Sequence, residues 1–135
     1  MNIGIIGHRN HAAHMLRLVA RHRDVKLLRV FHPDASKLVG LKSEGVAVQV
    51  EYTSDLRDLF HLDAVIIASP SHTHASYVLE LVSHRPFVLC EKPPATNRED
   101  LARLASLEDA LRAKIMFNFH LPRTPLFQHI QTRLS

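Results

Sequence analysis

The start of the chain places the strongest constraint on its fold, because the residue pattern there changes from that of a strand to that of a helix. Ile3, Ile5 and Ile6 form a β-branched run, Gly7 interrupts it, and from Ala12 the apolar residues recur at helical spacing. β-branched residues favour strands, and glycine permits a sharp turn. The free N–H groups at a helix N-terminus attract anions. This stretch therefore predicts a buried strand, a tight turn and a helix aimed at an anion site.

Strand-like and helix-like segments alternate along the rest of the chain, which predicts right-handed crossovers and a parallel sheet. We therefore predict a Rossmann-like, doubly wound α/β fold with about six parallel strands in the order 3-2-1-4-5-6. The later strands are predicted at residues 25–31, 46–50, 64–68, 87–90 and 115–119. The longer helices are predicted at residues 11–22, 74–84, 97–114 and 126–134. Two short helices are also predicted, one capped by Asp34 or Ser36 and ending near Gly40, and one starting at residues 53–55.

In this strand order the first and fourth strands are neighbours, and the direction of the crossovers reverses between them. Sheets of this kind bind ligands beyond the carboxyl ends of the strands at that point. Three predicted turns follow strands that end there, and they comprise residues 7–11, 69–74 and 90–94. The candidate site therefore lies where these turns converge.

Composition argues against several classes of protein. The length of 135 residues fits one domain, and the longest apolar run, residues 64–68, is too short to span a bilayer. No basic region precedes the first apolar residues, as it would in a secretory signal, so we predict a cytoplasmic protein with no membrane partner. The net charge of +4 would permit a nucleic-acid partner, but the basic residues are scattered. Scattered charge favours an ordinary solvated surface, and no nucleic-acid partner is predicted.

Three motifs fall in or beside the predicted turns. They are residues 3–7 (Ile-Gly-Ile-Ile-Gly), residues 63–74, which end in Ser-Pro-Ser-His-Thr-His, and residues 88–95 (Val-Leu-Cys-Glu-Lys-Pro-Pro-Ala). Together these motifs resemble the N-terminal domain of the Gfo/Idh/MocA oxidoreductase family, over about residues 1–125. The Pro-x-x-x-His turn and the Glu-Lys-Pro turn are the specific part, since a glycine turn alone is weak evidence.

The resemblance implies that the chain binds NAD or NADP and belongs to an enzyme acting on sugars, inositols or related compounds. By position, Gly7 would cradle the pyrophosphate, His32 would contact the adenosine ribose, and Lys92 would be the catalytic cation beside the nicotinamide and substrate. Such a cation stabilises the charge that develops as hydride moves. The same turns supply the remaining predicted cofactor contacts: His8, Arg9, Asn10, Ala12, Ser69, Pro70, His74, Glu91 and Asn118.

The chain departs from the family pattern at two cofactor positions. Arg9 stands where a second glycine would let the backbone approach the pyrophosphate, so either the loop is reshaped or Arg9 contacts phosphate itself. His32 stands where an acidic residue would select NAD, which admits NADP. After the sixth strand Asn118 and Pro125 fit the pattern, but Pro122 falls near the expected arginine, and Arg123 is one step later.

The family also implies a second domain that holds further catalytic residues and much of the substrate pocket. We therefore predict a dinucleotide-binding domain over residues 1–120 and the start of a linker helix over residues 121–135, with no turnover by this chain alone. The apolar segment 121–134 predicts a homodimer or a complex with a separately encoded second domain. A second hypothesis is a stand-alone Rossmann-like sensor or interaction module without catalysis. Arg9, His32 and the missing second domain favour it, whereas the retained Glu-Lys-Pro turn favours the oxidoreductase.

Eleven histidines raise the alternative of a metal site. The residues near the predicted turns are His8, His11, His72, His74 and Cys90, all of which are possible zinc ligands. Their spacing matches no closed zinc pattern, so no metal is predicted. His74 fits a structural residue at a helix start as well as it fits a ligand contact, and Cys90 is expected to be a buried strand residue.

Overall fold

The computed structural model describes residues 1–39, 48–119, 124 and 131–132, which form six strands and four α-helices. The strands are β1 (Asn2–Ile6), β2 (Leu27–Phe31), β3 (Gln49–Thr53), β4 (Ala64–Ile67), β5 (Phe87–Cys90) and β6 (Ile115–Phe117). The helices are α1 (His11–Val19), α2 (His74–Val82), α3 (Arg98–Ala105) and α4 (Asp109–Arg112). Single turns of 3₁₀ helix lie at Ala35–Lys37, Leu56–Leu59 and Ser71–Thr73.

The strands form one parallel sheet in the order β3-β2-β1-β4-β5-β6, which confirms the predicted fold and strand order. β1 and β4 pair side by side, with Ile6 opposite Ile67. The switch point therefore lies beyond these two residues, at the carboxyl edge of the sheet.

Both faces of the sheet are covered by apolar packing, as a doubly wound fold requires. Successive strand residues point to opposite faces. Ile3 and Ile5 pack in one cluster with Ala12 of α1, whereas Ile6 packs in the other with Val78 of α2. Alternate residues of β1 thus pack against α1 on one face and α2 on the other. Each helix starts near the carboxyl edge because it follows a strand, β1 or β4, that ends there.

The third strand extends beyond its predicted end. It runs from Gln49 to Thr53, whereas the prediction ended at residue 50, and residues 46 and 47 of that prediction lie outside the described residues. The helix start predicted at residues 53–55 is present as a 3₁₀ turn over Leu56–Leu59. β3 is an edge strand that pairs with β2 through Thr53, and its Glu51 receives a hydrogen bond from Arg29 Nε at 3.0 Å. The prediction relied on the apolar residues at 46–50. It did not locate the end of β3 correctly, because polar Glu51 is held in the strand by a partner on β2. The following 3₁₀ turn is capped by Asp55, whose side chain accepts from the Arg57 N–H.

The predicted long helix over residues 97–114 is divided into α3 and α4. α3 is capped at its start, since Asn97 Oδ1 accepts from the Asp100 N–H at 2.8 Å. α3 ends at Ala105, and the hydroxyl of the next residue, Ser106, donates to the Arg103 carbonyl, a local bond that competes with helix continuation. Leu104 is buried, but Leu101 is 53% exposed.

Several other elements are shorter than predicted. α1 ends at Val19, α2 ends at Val82, β2 begins at Leu27 and β6 ends at Phe117. Asp34 rather than Ser36 caps the 3₁₀ turn that follows β2. Gly40 and most of the predicted helix over residues 126–134 lie outside the described residues. None of the helices in the described segments is long and apolar enough to cross a membrane.

Candidate functional site

Two adjoining clefts lie at the carboxyl edge of the sheet, beside the switch point. The larger, called here the β2 cleft, has a volume of about 460 Å³ and lies between the turn after β1 and the end of β2. The smaller, the β5 cleft, has a volume of about 330 Å³ and is bounded by the turn after β5. His11, Ala68 and Ser69 line both clefts, so one elongated ligand could extend from one into the other.

Gly7 forms the wall at the turn after β1. Its φ of +114° lies where side chains are disfavoured. A Cβ placed on Gly7 would lie 2.8 Å from the Ala68 carbonyl oxygen and 3.1 Å from the Cβ of buried Ala12. The turn therefore requires glycine, and the missing side chain keeps the backbone open to the β2 cleft.

The departure at Arg9 is accompanied by an unusual backbone at the next residue. Among the described residues, Asn10 is the one non-glycine residue with a positive φ, at 45°. Asparagine tolerates such a φ better than most residues. Arg9 is exposed and lines the β2 cleft. The loop is thus shaped by Gly7 and Asn10, and both alternatives raised by the sequence, a reshaped loop and a phosphate contact from Arg9, fit this arrangement.

Two histidines meet where β1 and β2 end. The rings of His8 and His32 pack edge to face, with centroids 4.6 Å apart. Burial lowers the pKa of His8, and neighbouring positive charges lower it further. These charges belong to His32, Arg9 and Lys37. The β2 cleft therefore concentrates groups that are positive or can become so.

His74 connects the two turns that frame the β5 cleft. It is 1% exposed, with Nδ1 2.8 Å from the Pro93 carbonyl oxygen and Nε2 2.9 Å from the Ser69 carbonyl oxygen. Both ring nitrogens are engaged by backbone, which favours the structural interpretation of His74 over direct ligand contact. The Ser69 hydroxyl is itself 2.7 Å from the Thr73 hydroxyl, within the same turn.

Glu91 joins three elements at one carboxylate oxygen. Its Oε1 accepts from Asn118 Nδ2 at 2.6 Å, just beyond β6, and lies 2.8 Å from His11 Nε2 at the start of α1. Burial by itself raises the pKa of Glu91, but the hydrogen bonds from Asn118 and His11 outweigh burial and hold it below its ordinary value. The sequence offered His11 only as a possible metal ligand, and no local pattern signalled its pairing with Glu91.

Lys92 follows Glu91 in the same turn and is exposed at the β5 cleft. The peptide bond to Pro93 is cis. Within the part of the chain that the structure describes, the Lys92 ammonium has no ion-pair partner closer than 4 Å. The structure thus brings the predicted catalytic cation to the cleft beside Ser69 and His74.

The zinc alternative does not fit this geometry. In residues 1–39 and 48–119 no group of three His, Cys, Asp or Glu side chains is placed to hold a metal. His74 has both nitrogens engaged, and Cys90 is fully buried in β5. Burial and the charge of Glu91 raise the pKa of the Cys90 thiol to about 12.

The sequence model of a family described as an oxidoreductase family with an NAD-binding Rossmann fold matches residues 1–119. The chain belongs to the Gfo/Idh/MocA family. It is 28% identical over 133 residues to the uncharacterized oxidoreductase YrbE of Bacillus subtilis, covering 96% of this chain and 38% of YrbE. It is 33% identical over 114 residues to an inositol 2-dehydrogenase of Acidothermus cellulolyticus, covering 82% of this chain and 33% of that enzyme.

Solved structures of larger dehydrogenases share the fold. A scyllo-inositol dehydrogenase from Lactobacillus casei, with bound NAD(H) and scyllo-inositol, superposes with a TM-score of 0.74 at 19% identity, over 98% of this chain and 40% of that one. The WlbA dehydrogenase from Bordetella pertussis, in complex with NADH and UDP-GlcNAcA, gives 0.77 at 21% identity, over 99% and 40%. The chain therefore spans about two fifths of the length of these relatives or less.

The chain is thus an NAD-binding Rossmann domain, and the geometry of its site suits a dinucleotide. The open backbone at Gly7 lies beside the N-terminus of α1, an arrangement suited to a pyrophosphate. The two adjoining clefts leave space for an elongated ligand on both sides of this turn. Phe31 and Tyr77 also line the β2 cleft, with their ring centroids 5.9 Å apart and packed edge to face, and no local sequence pattern indicated that this pair lines a cleft.

Proposed function

We propose that this chain is the cofactor-binding part of an oxidoreductase acting on a sugar, an inositol or a related polyol, and that it does not turn over substrate alone. The exposed Lys92 ammonium at the mouth of the β5 cleft carries the proposal. Two of the relatives mentioned above are named inositol dehydrogenases, which supports the substrate class.

In this proposal the dinucleotide lies across the switch point. The adenosine half occupies the β2 cleft, the pyrophosphate lies beside Gly7 and the N-terminus of α1, and the nicotinamide half occupies the β5 cleft. The bound nicotinamide supplies hydride transfer. We propose that the turns also contact the cofactor through His8, Arg9, Asn10, Ala12, His32, Ser69, Pro70, Glu91 and Asn118.

Lys92 is proposed as the group that stabilises charge on the substrate oxygen. An ammonium offers three donors and a positive charge, and its position depends on the turn that His74 holds through the Pro93 carbonyl. Oxidation of an alcohol also needs a group that accepts the hydroxyl proton. We propose that a second domain supplies this group, with residues 1–120 as the cofactor domain and residues 121–135 leading out of it.

The purified chain tests this proposal directly. We expect saturable binding of NADH or NADPH, measured by fluorescence or calorimetry, and no reduction of NAD or NADP with myo-inositol, scyllo-inositol or glucose. Addition of a separately encoded second domain should restore turnover, and Lys92→Met should abolish that turnover. Robust turnover by the 135-residue chain by itself would contradict the requirement for a partner.

A stand-alone sensor or interaction module is the second candidate, and the replacement of glycine and acid by Arg9 and His32 favours it. In that case cofactor binding persists and no partner domain restores turnover.

We also propose a cytoplasmic location and an association through the apolar segment 121–134, either with a second copy or with the second domain. Sedimentation at micromolar concentration tests the association, and a monomer whose mass is unchanged by Phe127→Asp counts against it.

A further inference from the structure

We propose that the β2 cleft is built for the 2′-phosphate of NADP, because His8, Arg9 and His32 meet there with Lys37 nearby and no carboxylate lines it. The inference rests on the proposed dinucleotide site and decides between the two forms of the cofactor. The free 2′-hydroxyl of NAD and the dianionic 2′-phosphate of NADP demand opposite charges from the protein.

The first step concerns the place where the adenosine ribose binds. In a fold of this class the ribose lies beyond the carboxyl end of the second strand, where an acidic side chain accepts hydrogen bonds from its hydroxyls. β2 ends at Phe31, and His32 is the next residue. An imidazole in this place has no negative charge with which to select the hydroxyl or repel a phosphate.

The second step concerns which atom of His32 can reach a ligand. Its Nδ1 is 3.1 Å from both the backbone nitrogen and the carbonyl oxygen of Asp34, so this nitrogen is engaged by its own turn. The structure places no hydrogen-bond partner on Nε2 within residues 1–39 and 48–119. His32 therefore retains one ring nitrogen that can donate to a phosphate oxygen.

The third step concerns the neighbouring charges. His8 packs edge-on against His32 at 4.6 Å, and Arg9 lines the same cleft. Lys37 ends the 3₁₀ turn after β2, and although it is not among the described residues that line the cleft, its positive charge makes the smallest contribution to lowering the pKa of His8. The lowered pKa of His8 reflects burial first and these cations next, so an anion bound here would relieve repulsion among them.

Asp34 does not replace the acidic side chain that would bind the ribose hydroxyls of NAD. Its Oδ1 accepts from the Ser36 N–H at 2.9 Å and from the Ser36 hydroxyl at 2.6 Å, which holds this oxygen in the cap of the 3₁₀ turn, while the charge of Asp34 also acts on Lys37 and His32. Asp34 is not among the described residues that line the cleft, and none of those residues is acidic. Asp34, the acidic residue nearest to His32 in sequence, thus caps the 3₁₀ turn and does not line the cleft in which the ribose hydroxyls would bind.

Calorimetric titration of the full chain provides the test. We expect NADPH to bind ~10–100-fold more tightly than NADH, the range given by one strong charge-assisted contact. Adenosine 2′,5′-bisphosphate should also bind more tightly than adenosine 3′,5′-bisphosphate, which has equal charge but a displaced phosphate. Equal binding of the two isomers would indicate unspecific attraction of charge and overturn the inference.

Two variants locate the effect, and a third controls for net charge. Lys37→Ala, at an exposed position, should weaken NADPH about 5-fold or more and leave NADH unchanged. His32→Asp should reverse the preference, with circular dichroism confirming that it folds. Lys26→Ala removes an equal charge at the opposite end of β2 and should alter neither affinity.

The outcomes separate the inference from the proposed function. If the wild-type chain binds NADH as tightly as NADPH, the 2′-phosphate inference is wrong and the dinucleotide site stands. If neither binds up to millimolar concentration, the proposed function itself fails. If Lys26→Ala weakens NADPH as much as Lys37→Ala, the preference does not arise in the β2 cleft.

Discussion

The β2 cleft and the β5 cleft share a wall but use their polar side chains in opposite ways. In the β5 cleft His74 bonds to backbone and Glu91 to Asn118 beyond β6, while the Lys92 side chain is exposed. In the β2 cleft the exposed Arg9 and the rings of His8 and His32 line an open space. The β5 cleft thus uses His74 and Glu91 to connect neighbouring elements, whereas in the β2 cleft Arg9 and Nε2 of His32 are available to a ligand.

This difference shows that a residue in a binding motif need not touch what binds. His74 holds the carbonyls of Ser69 and Pro93, so its contribution to a ligand site is the position of two turns. Buried polar groups must be satisfied, and a turn so satisfied is rigid. The β5 cleft is therefore expected to lose stability when its side chains change, whereas the β2 cleft is expected to lose affinity.

Removing the His74 ring nitrogens should give the largest loss of stability. His74→Phe keeps a ring of similar shape but removes the nitrogens that lie 2.8 Å from the Pro93 carbonyl oxygen and 2.9 Å from the Ser69 carbonyl oxygen. A neutral imidazole donates one hydrogen bond, so we expect a loss of ~2–3 kcal/mol in urea denaturation. The matched change His32→Phe in the β2 cleft should cost less than ~1 kcal/mol. Equal losses at the two histidines would remove the contrast between the clefts.

Gly7 lines the β2 cleft, but its substitution should lower the stability of the fold, as a substitution in the β5 cleft does. Gly7→Ala places a Cβ 2.8 Å from the Ala68 carbonyl oxygen at a φ of +114°, so we expect a loss of ~2–3 kcal/mol in the same assay. Gly4→Ala is the control, since its Cβ would meet only side-chain methyl groups, those of Leu59, Leu62 and Val65, at 3.1 Å. This control should cost ~1 kcal/mol. A Gly7 variant as stable as the Gly4 variant would show that the turn can move.

Glu91 gives the β5 cleft a dependence on pH. Its pKa is lowered in the folded chain from an ordinary 4.5, so its charge stabilises the fold above about that pH. The contribution is lost as the pH falls through the folded value. Wild type should therefore exceed Glu91→Gln by ~1 kcal/mol at pH 7, and the gap should close below pH ~4.

Asp109→Asn provides the comparison for that pH series. The Asp109 side chain is 90% exposed beside Arg112, where solvent screens the pair. Its stability difference from wild type should stay near zero from pH 7 to pH 4. A Glu91→Gln curve parallel to wild type throughout would contradict the network at Glu91.

Cys90 should show the smallest effect, which is an absence of reaction in the folded chain. A thiol with a pKa of about 12 is ionised in only ~1 molecule in 10,000 at pH 8, and the side chain is fully buried. Ellman's reagent at pH 8 should label Cys90 only as fast as the chain unfolds. In 6 M guanidinium, as a control, labelling should finish within seconds. Rapid labelling without denaturant would mean that the turn after β5 opens readily.

Particular elements show how far the sequence could predict the fold. The apolar run of β4 and the change of period after Gly7 located their elements, because each depends on neighbours in the chain. The predicted end of β3 was three residues too early, since the edge position of this strand tolerates Glu51 paired with Arg29 on β2. The break between α3 and α4 was missed because helical periodicity continues across it.

Local residue preferences and the handedness of parallel crossovers are enough to predict the order of the elements, the glycine that the first turn requires and the placement of Lys92 after β5. They do not predict which polar groups are engaged, because these bonds join distant residues: Glu91 bonds to His11 across 80 residues, and His74 to Pro93 across 19. The physical reason is that hydrogen bonds require partners within about 3 Å. Only the pairing of the strands brings such distant residues together, and local patterns contain no information about it.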